Sequence, residues 1–184
     1  MNISAETMMA FAVDIFVAAG SSRDEATQIA EHLVEANLKG HDSHGVGMIP
    51  AYFLHRSIGA VVPNRAPKLV ADLGALMVFD GDSGYGQPIV NAIMDIVAER
   101  AKQNGVAIST LRNSQHVGRI GAYGERLAAQ GLLSIHFVNA VYVQACVAPF
   151  RGSDARLMTN PICITLPMGA DRPPIVLDFA TSSI

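Results

Sequence analysis

The sequence is poor in cysteine, which limits the kinds of fold it can form. Its 184 residues include two cysteines, Cys146 and Cys163, and no Cys-x-x-Cys pair. A disulfide-stapled scaffold and a zinc ribbon are therefore excluded, because both need several closely spaced cysteines. Both thiols stand in apolar stretches, so we expect buried, free cysteines, as in proteins of a reducing compartment such as the cytoplasm.

Runs of charge are also missing. Lys and Arg number 13 against 16 Asp and Glu, a net charge of −3. Such a chain is a poor partner for nucleic acid or for an anionic membrane. Residues 127–150 contain no Asp, Glu, Lys or Arg. Their Gln, Asn and Pro residues nevertheless argue against a membrane span, because lipid would leave these polar groups unpaired. We expect a helix end and interior strands there instead.

A Gly-x-Gly-x-x-Gly fingerprint is absent after every predicted strand, which argues against a Rossmann dinucleotide-binding domain. Helical and strand patterns still alternate, so we predict an α/β or α+β fold. The predicted helices span residues 4–19, 22–40, 88–103 and 120–130. The predicted strands span residues 68–71, 76–79, 106–111, 132–138, 162–166 and 175–177.

The first two helices carry the clearest signals. Ser4 is placed to cap the first helix, and Gly20 to end it. The second helix should begin at Ser21 or Ser22 and end at Gly40. It should bury one apolar stripe, formed by Ala26, Ile29, Ala30, Leu33, Val34 and Leu38.

The stretch His41-Asp42-Ser43-His44 follows the second helix and concentrates polar side chains between glycines. Two imidazoles and a carboxylate at close range could hold zinc or nickel. Asp42 or Ser43 could instead cap the next helix. His44, which lies between small residues, could exchange protons with a substrate near neutral pH. The residues alone leave these interpretations open.

A second motif, "NSQHVGRIGAYGE", places His116 between a predicted strand and a predicted helix. Gly118, Gly121 and Gly124 follow at a three-residue spacing. Because glycine weakens a helix, this spacing indicates that something packs closely on that face. The partner could be a sheet, or a flat ligand such as a nicotinamide ring. Arg119 would project nearby as a clamp for a carboxylate or phosphate.

These two motifs occur in the same order in a known family, together with the Gly-rich segment "DGDSGYGQP" at residues 80–88, Thr159-Asn160-Pro161 and "LDFATS" at residues 177–182. The chain resembles the type 2 malate/L-lactate dehydrogenase family, and its two motifs are most similar to the hydroxycarboxylate dehydrogenase B branch. The resemblance implies a non-Rossmann NAD(P)-binding fold of the sulfolactate dehydrogenase-like type, with a mixed sheet and helices. It also implies an N-terminal helical segment, residues 1–66, and part of the cofactor-binding domain, residues 67–184.

The resemblance also implies roles for individual residues. Ser43 and His44 would relay a proton to the substrate oxygen, and His116 would lie between nicotinamide and substrate, as an alternative acid or base. Asp178 would orient a histidine, and Thr159 and Asn160 would lie near the substrate. The implied contacts to the cofactor, NAD or NADP, are His116, Val117, Gly118, Arg119, Ile120, Asp178, Phe179 and Ala180.

One position departs from the family pattern. Many members have arginine where this chain has Met48, and that arginine grips the substrate carboxylate. Met48 therefore marks a substrate contact at which the clamp is missing. Arg119 is our candidate for its replacement.

The resemblance favours an NAD(P)H-dependent oxidoreductase that interconverts 2-oxo acids and 2-hydroxy acids, with histidine as acid or base. It also implies assembly as a homodimer. Two alternatives remain open at this point. One is a metal-dependent hydrolase or lyase that uses His41, Asp42 and His44. The other is an inactive, truncated subunit that still dimerises.

Chains of this family extend well beyond "DFATSSI", so we expect these 184 residues to be part of a longer protein. Because 50% of the residues are hydrophobic, the part alone should expose apolar surface and open sheet edges. We predict that it self-associates or is poorly soluble, and that it binds NADH or NADPH weakly. Light scattering and a fluorescence titration test this. A monodisperse monomer that binds cofactor tightly would contradict it.

Overall fold

The computed structural model describes residues 3–140, 145–169 and 171–182. The chain divides into two units, residues 1–119 and 120–184, which are described separately below. The predicted domain boundary after residue 66 stays a prediction. Residues 141–144 of the uncharged stretch lie outside the described residues.

Two packed helices, α1 (Ala5–Ala18) and α2 (Arg23–Leu38), begin the first unit. The Ser4 hydroxyl accepts the Thr7 N–H at 3.1 Å, and the Ser22 hydroxyl accepts the Glu25 N–H at 3.2 Å. Each serine thereby satisfies one of the backbone donors left free at a helix start. The predicted helices and the Ser4 cap are confirmed.

The prediction that Leu38 is buried is wrong. The rest of the α2 stripe is buried in the core with Phe16 of α1, but Leu38 is 71% exposed. It is the last residue of the helix, beside exposed Lys39 and Gly40, and so lies beyond the packed part of the stripe.

The prediction that both cysteines are buried is half wrong, because Cys163 is buried but Cys146 is exposed.

A short helical segment follows α2 and was not predicted. Two 3₁₀ turns, Asp42–His44 and Val46–Met48, lead into helix α3 (Ile49–Ser57). Pro50 lies in the first turn of α3, where its missing N–H costs no hydrogen bond. Tyr52 of α3 is 3% exposed and packs into the core of the two long helices.

A three-stranded sheet completes the first unit. Strands β1 (Lys68–Leu73) and β2 (Leu76–Asp80), both predicted from the sequence, pair in antiparallel fashion. Helix α4 (Gly86–Asn104) then connects β2 to the parallel strand β3 (Ile108–Arg112). Gly105 ends α4 with a φ of +79°, a conformation that glycine adopts without strain.

The second unit is one helix on an antiparallel sheet. Helix α5 (Gly121–Ala128) precedes the strands β4 (Ser134–Phe137), β5 (Ile162–Leu166) and β6 (Ile175–Phe179), which are ordered β4-β5-β6. Buried Cys163 and Thr165 lie on the face under α5. The opposite face exposes apolar side chains: Ile135, Phe137, Leu177 and Phe179.

Helices and sheets of both pairing types occur in the chain, and the predicted mixed α/β class is confirmed. Within the part of the chain that the structure describes, no helix combines the length and apolar character that a membrane crossing requires.

Gly124 allows α5 to lie close to the sheet. A Cβ at this position would overlap Thr165 Oγ1 and lie 3.0 Å from Thr165 Cβ. Gly124→Ala should therefore lower the free energy of unfolding by about 1–3 kcal/mol, the usual cost of overpacking. Urea denaturation measures it. Gly47→Ala is the control, because a Cβ there meets nothing within 4 Å. Equal stability of both variants would contradict the prediction.

Candidate active site

The end of α2 holds the polar motif in a defined loop. Asn37 donates from Nδ2 to Asp42 Oδ1 at 2.5 Å and accepts the Val46 N–H on its Oδ1 at 2.8 Å. Gly45 lies against this amide so closely that a side chain at residue 45 would overlap it. One asparagine thus fixes both sides of the loop that presents Ser43 and His44.

Ser43 and His44 form a hydrogen-bonded pair within the first 3₁₀ turn. Ser43 Oγ lies 2.8 Å from His44 Nδ1. Neither Asp42 nor Ser43 caps the turn Val46–Met48 or helix α3, since both lack a side-chain cap. The capping interpretation is therefore wrong, because Asn37 engages Asp42 and His44 engages Ser43.

The metal interpretation of the same motif is not favoured. Asp42 is held by Asn37, and His41 Nδ1 lies 3.3 Å from the Lys39 carbonyl oxygen. Among residues 3–140, 145–169 and 171–182, no group of three or more His, Cys, Asp or Glu side chains is arranged to hold a metal ion.

The two sequence motifs meet at a pair of histidines. The rings of His44 and His116 are stacked, with centroids 5.4 Å apart and planes inclined by 30°. His116 Nδ1 lies 2.8 Å from the hydroxyl of Tyr52, and Gln87 donates from Nε2 to that hydroxyl at 2.6 Å. Side chains from the motif loop, α3 and α4 therefore converge on the segment between β3 and α5.

Burial keeps His116 uncharged near neutral pH. The pKa of its imidazole is lowered to about 4. Removal from water is the largest cause, and the neighbouring His44, His32 and His55 contribute to the same shift. A neutral imidazole can donate one hydrogen bond and accept another, but it lacks the acidic second proton of an imidazolium.

His32 of α2 forms a hydrogen bond to the backbone of the same segment. Its Nε2 accepts the backbone N–H of Arg119 at 2.8 Å, and burial lowers the pKa of His32 to about 4. Gly118, with a φ of +75°, lies against the His32 ring, and a Cβ at residue 118 would overlap it. The missing side chain at Gly118 makes room for an imidazole of the protein.

The other predicted contacts of the first unit are buried or half-buried. Arg119 is 4% exposed, with its guanidinium 3.8 Å from Glu35. Met48 packs against the hydrophobic core. Val117 is half-buried. Their roles toward substrate and cofactor stay predictions.

Asp178 stabilises the start of α5 in the second unit. Its Oδ2 accepts the Gly121 N–H at 2.7 Å, where a carboxylate complements the positive end of the helix. Burial lowers the pKa of half-buried His136, and the charge of Asp178 opposes this shift. His136 is thus a histidine that Asp178 faces. Its predicted catalytic role remains untested.

The remaining predicted residues occupy varied environments. Ile120 is buried, whereas Phe179 and Ala180 are exposed at the end of β6. Thr159 offers its carbonyl oxygen to the N–H and hydroxyl of Thr181. Asn160 has a φ of +40°, and its buried Oδ1 has no hydrogen-bond partner among the described residues.

Four residues that shape the site through hydrogen bonds were not predicted from the sequence: His32, Asn37, Tyr52 and Gln87. A partial signal existed for Tyr52, which follows Met48 by one helical turn just after Pro50. The others carry no local signal, because their partners lie far away along the chain or in the following loop.

Comparison with known proteins gives a consistent result. A family model described as malate/L-lactate dehydrogenase matches residues 3–184. The chain is 45% identical over its whole length to hydroxycarboxylate dehydrogenase B of Escherichia coli O157:H7, of which it covers 50%. It is also 45% identical to an L-lactate dehydrogenase of Cupriavidus necator, of which it covers 53%.

Solved structures agree with these sequence matches. The whole chain superposes on 51% of a putative malate/lactate dehydrogenase from E. coli with a TM-score of 0.96 and 43% identity. For the sulfolactate dehydrogenase of Methanocaldococcus jannaschii, of which it covers 52%, the TM-score is 0.92 at 33% identity. The predicted fold type is confirmed. The chain spans about half the length of the relatives it matches.

Buried His32 and half-buried His116 make stability depend on pH. The unfolded chain has ordinary imidazoles with a pKa near 6.5, whereas the pKa of His32 and of His116 in the folded protein is about 4. Below pH 6.5 the unfolded state binds more protons, so the free energy of unfolding should fall as the pH drops from 6.5 to 4, by up to roughly 1.4 kcal/mol per pH unit and histidine.

Urea denaturation between pH 7 and pH 4 measures this slope. The double variant His32→Gln/His116→Gln should lower stability at pH 7 but show a flatter pH dependence than the parent. Identical slopes in the two proteins would show that these histidines are not the source.

Proposed function

The chain belongs to the malate/L-lactate dehydrogenase family, and from this we propose that the full protein is an NAD(P)H-dependent oxidoreductase that interconverts 2-oxo acids and 2-hydroxy acids. The observation that carries the proposal is the pair of stacked imidazoles, His44 with Ser43 at its Nδ1 and His116 with Tyr52 at its Nδ1. Reduction of a carbonyl group needs one proton for its oxygen, and an imidazole supplies protons near neutral pH.

In this mechanism His44 is the proton donor. NADH or NADPH, when bound, would supply hydride for the carbonyl carbon. The carbonyl oxygen gains a proton from His44 and becomes the hydroxyl of the 2-hydroxy acid. Ser43 Oγ lies 2.8 Å from Nδ1 of His44, and this hydrogen bond orients the ring. In the reverse direction His44 takes the proton back.

His116 has a different role in the proposal. Because burial lowers its pKa to about 4, it is neutral at pH 7 and suits hydrogen bonding to the substrate better than proton donation. In this proposal His44 exchanges the proton, and His116 forms a hydrogen bond to the oxygen that receives it.

The cofactor is proposed to contact the segments 116–120 and 178–180, on the strength of the family resemblance. The buried Asn160 Oδ1, which has no partner among the described residues, fits a ligand that brings a hydroxyl or amide hydrogen. Arg119 stays our candidate for the substrate carboxylate clamp, with Thr159 and Met48 as further substrate contacts.

A homodimer is the proposed assembly. The exposed apolar side chains of β4 and β6 are the kind of surface that folded proteins cover, by further chain or by a second subunit.

His44→Ala in the full-length protein should lower kcat for 2-oxo acid reduction by ~10²–10⁴, with little change in cofactor affinity. His116→Ala is measured beside it. Spectrophotometry of NADH and NADPH oxidation with a panel of 2-oxo acids gives kcat and KM.

His41→Ala is the discriminating variant, since the hydride-transfer mechanism does not use His41 but a metal site in the motif would. Metal analysis after dialysis against a chelator completes the test. Unchanged kcat in His44→Ala, or activity that disappears with a removed metal, would refute the proposal.

A further inference from the structure

We propose that Tyr52 and Gln87 are positioning residues that fix the tautomer of His116, with its hydrogen on Nε2. The catalytic meaning of this inference rests on the proposed function. The hydrogen bonds that support it do not, because they join three side chains of the protein to one another.

The chain of hydrogen bonds has a direction. The amide nitrogen of Gln87 can only donate, and it lies 2.6 Å from the Tyr52 oxygen. That oxygen accepts from Gln87, so the single hydroxyl hydrogen of Tyr52 is left for His116 Nδ1 at 2.8 Å. Nδ1 is then an acceptor and carries no hydrogen of its own.

The charge states of both groups agree with this direction. Burial raises the pKa of Tyr52 well above its ordinary value, so the phenol keeps its hydrogen. Burial and the facing imidazoles of His44, His32 and His55 lower the pKa of His116 to about 4. A neutral imidazole has one N–H, and with Nδ1 accepting from Tyr52 this hydrogen is on Nε2.

The two positioning side chains are buried. Gln87 is fully buried at the start of α4, and Tyr52 of α3 is 3% exposed. With this support, Nε2 of His116 is a fixed donor. It can hold a carbonyl or alkoxide oxygen, but it cannot take the proton that His44 exchanges. The tautomer therefore separates the roles of the two histidines.

The tautomer can be measured directly. In the full-length protein labelled with ¹⁵N-histidine, long-range ¹H–¹⁵N spectra at pH 7, without substrate or cofactor, distinguish the two neutral forms. The signals of His116 are those lost in His116→Gln. We expect the Nε2–H form. A dominant Nδ1–H form would overturn the proposal. It would mean that the Gln87 amide is reversed, so that Tyr52 donates to Gln87 and accepts from His116.

Two variants test the cause. Tyr52→Phe removes the hydroxyl and should give a mixture of both tautomers, with kcat/KM lower by about tenfold, the value of one hydrogen bond. Tyr85→Phe is the matched control. Tyr85 is also buried, its ring centroid lies 6.0 Å from that of Tyr52, and its hydroxyl has no partner among the described residues. It should leave the tautomer unchanged.

Gln87→Met provides a second route if Tyr52→Phe does not fold. Without the amide donor, the Tyr52 hydroxyl loses its fixed direction, and the Nδ1–H form should become detectable. A fixed Nε2–H form in every folded variant would assign the tautomer to another cause and overturn the proposal.

The same measurements keep the two hypotheses apart. An Nε2–H tautomer in a protein that reduces no 2-oxo acid would refute the proposed function and leave the positioning roles of Tyr52 and Gln87 intact. An active enzyme with the Nδ1–H form would support the proposed function and refute the positioning roles.

Discussion

Keeping imidazoles neutral and away from water is the constraint on which the first unit's site depends. A neutral ring offers one acceptor nitrogen and one N–H to its hydrogen-bond partners. His32 accepts the backbone N–H of Arg119, and His116 faces the hydroxyl of Tyr52. These two bonds tie the segment before α5 to α2 and α3. A proton on either ring would remove an acceptor and place a charge where burial disfavours it.

The sequence predicts much of the fold because the relevant signals are local. Serine caps, apolar stripes and glycine stops define α1, α2 and α4 within a few residues, and strand patterns locate β1, β2 and β5. Helix α3 was missed because it is short and follows two 3₁₀ turns, so it offers too few residues to show a helical period. Leu38 was assigned to the core because a periodic pattern does not tell where packing ends.

The site was only partly predictable. Ser43, His44 and His116 stand out as polar residues among glycines, and the structure brings the two histidines into ring contact. The meaning of the glycines was harder to read. Gly118 makes room for His32 and Gly124 for Thr165, so both serve contacts within the protein. Tyr52, Gln87 and His32 act through partners distant in the sequence, and a pattern within one segment cannot reveal such pairs.

The hydrogen bond between Asp178 and Gly121 has a consequence for folding order. It joins residues 57 positions apart, so a long loop must close before the α5 start gains its carboxylate. An eight-residue helix is too short to persist alone in water. Helix α5 should therefore form late, in the same cooperative event that adds β6 to the sheet. Because the chain is synthesised from its N-terminus, the ribosome must release residue 178 before the second unit can acquire its only described helix.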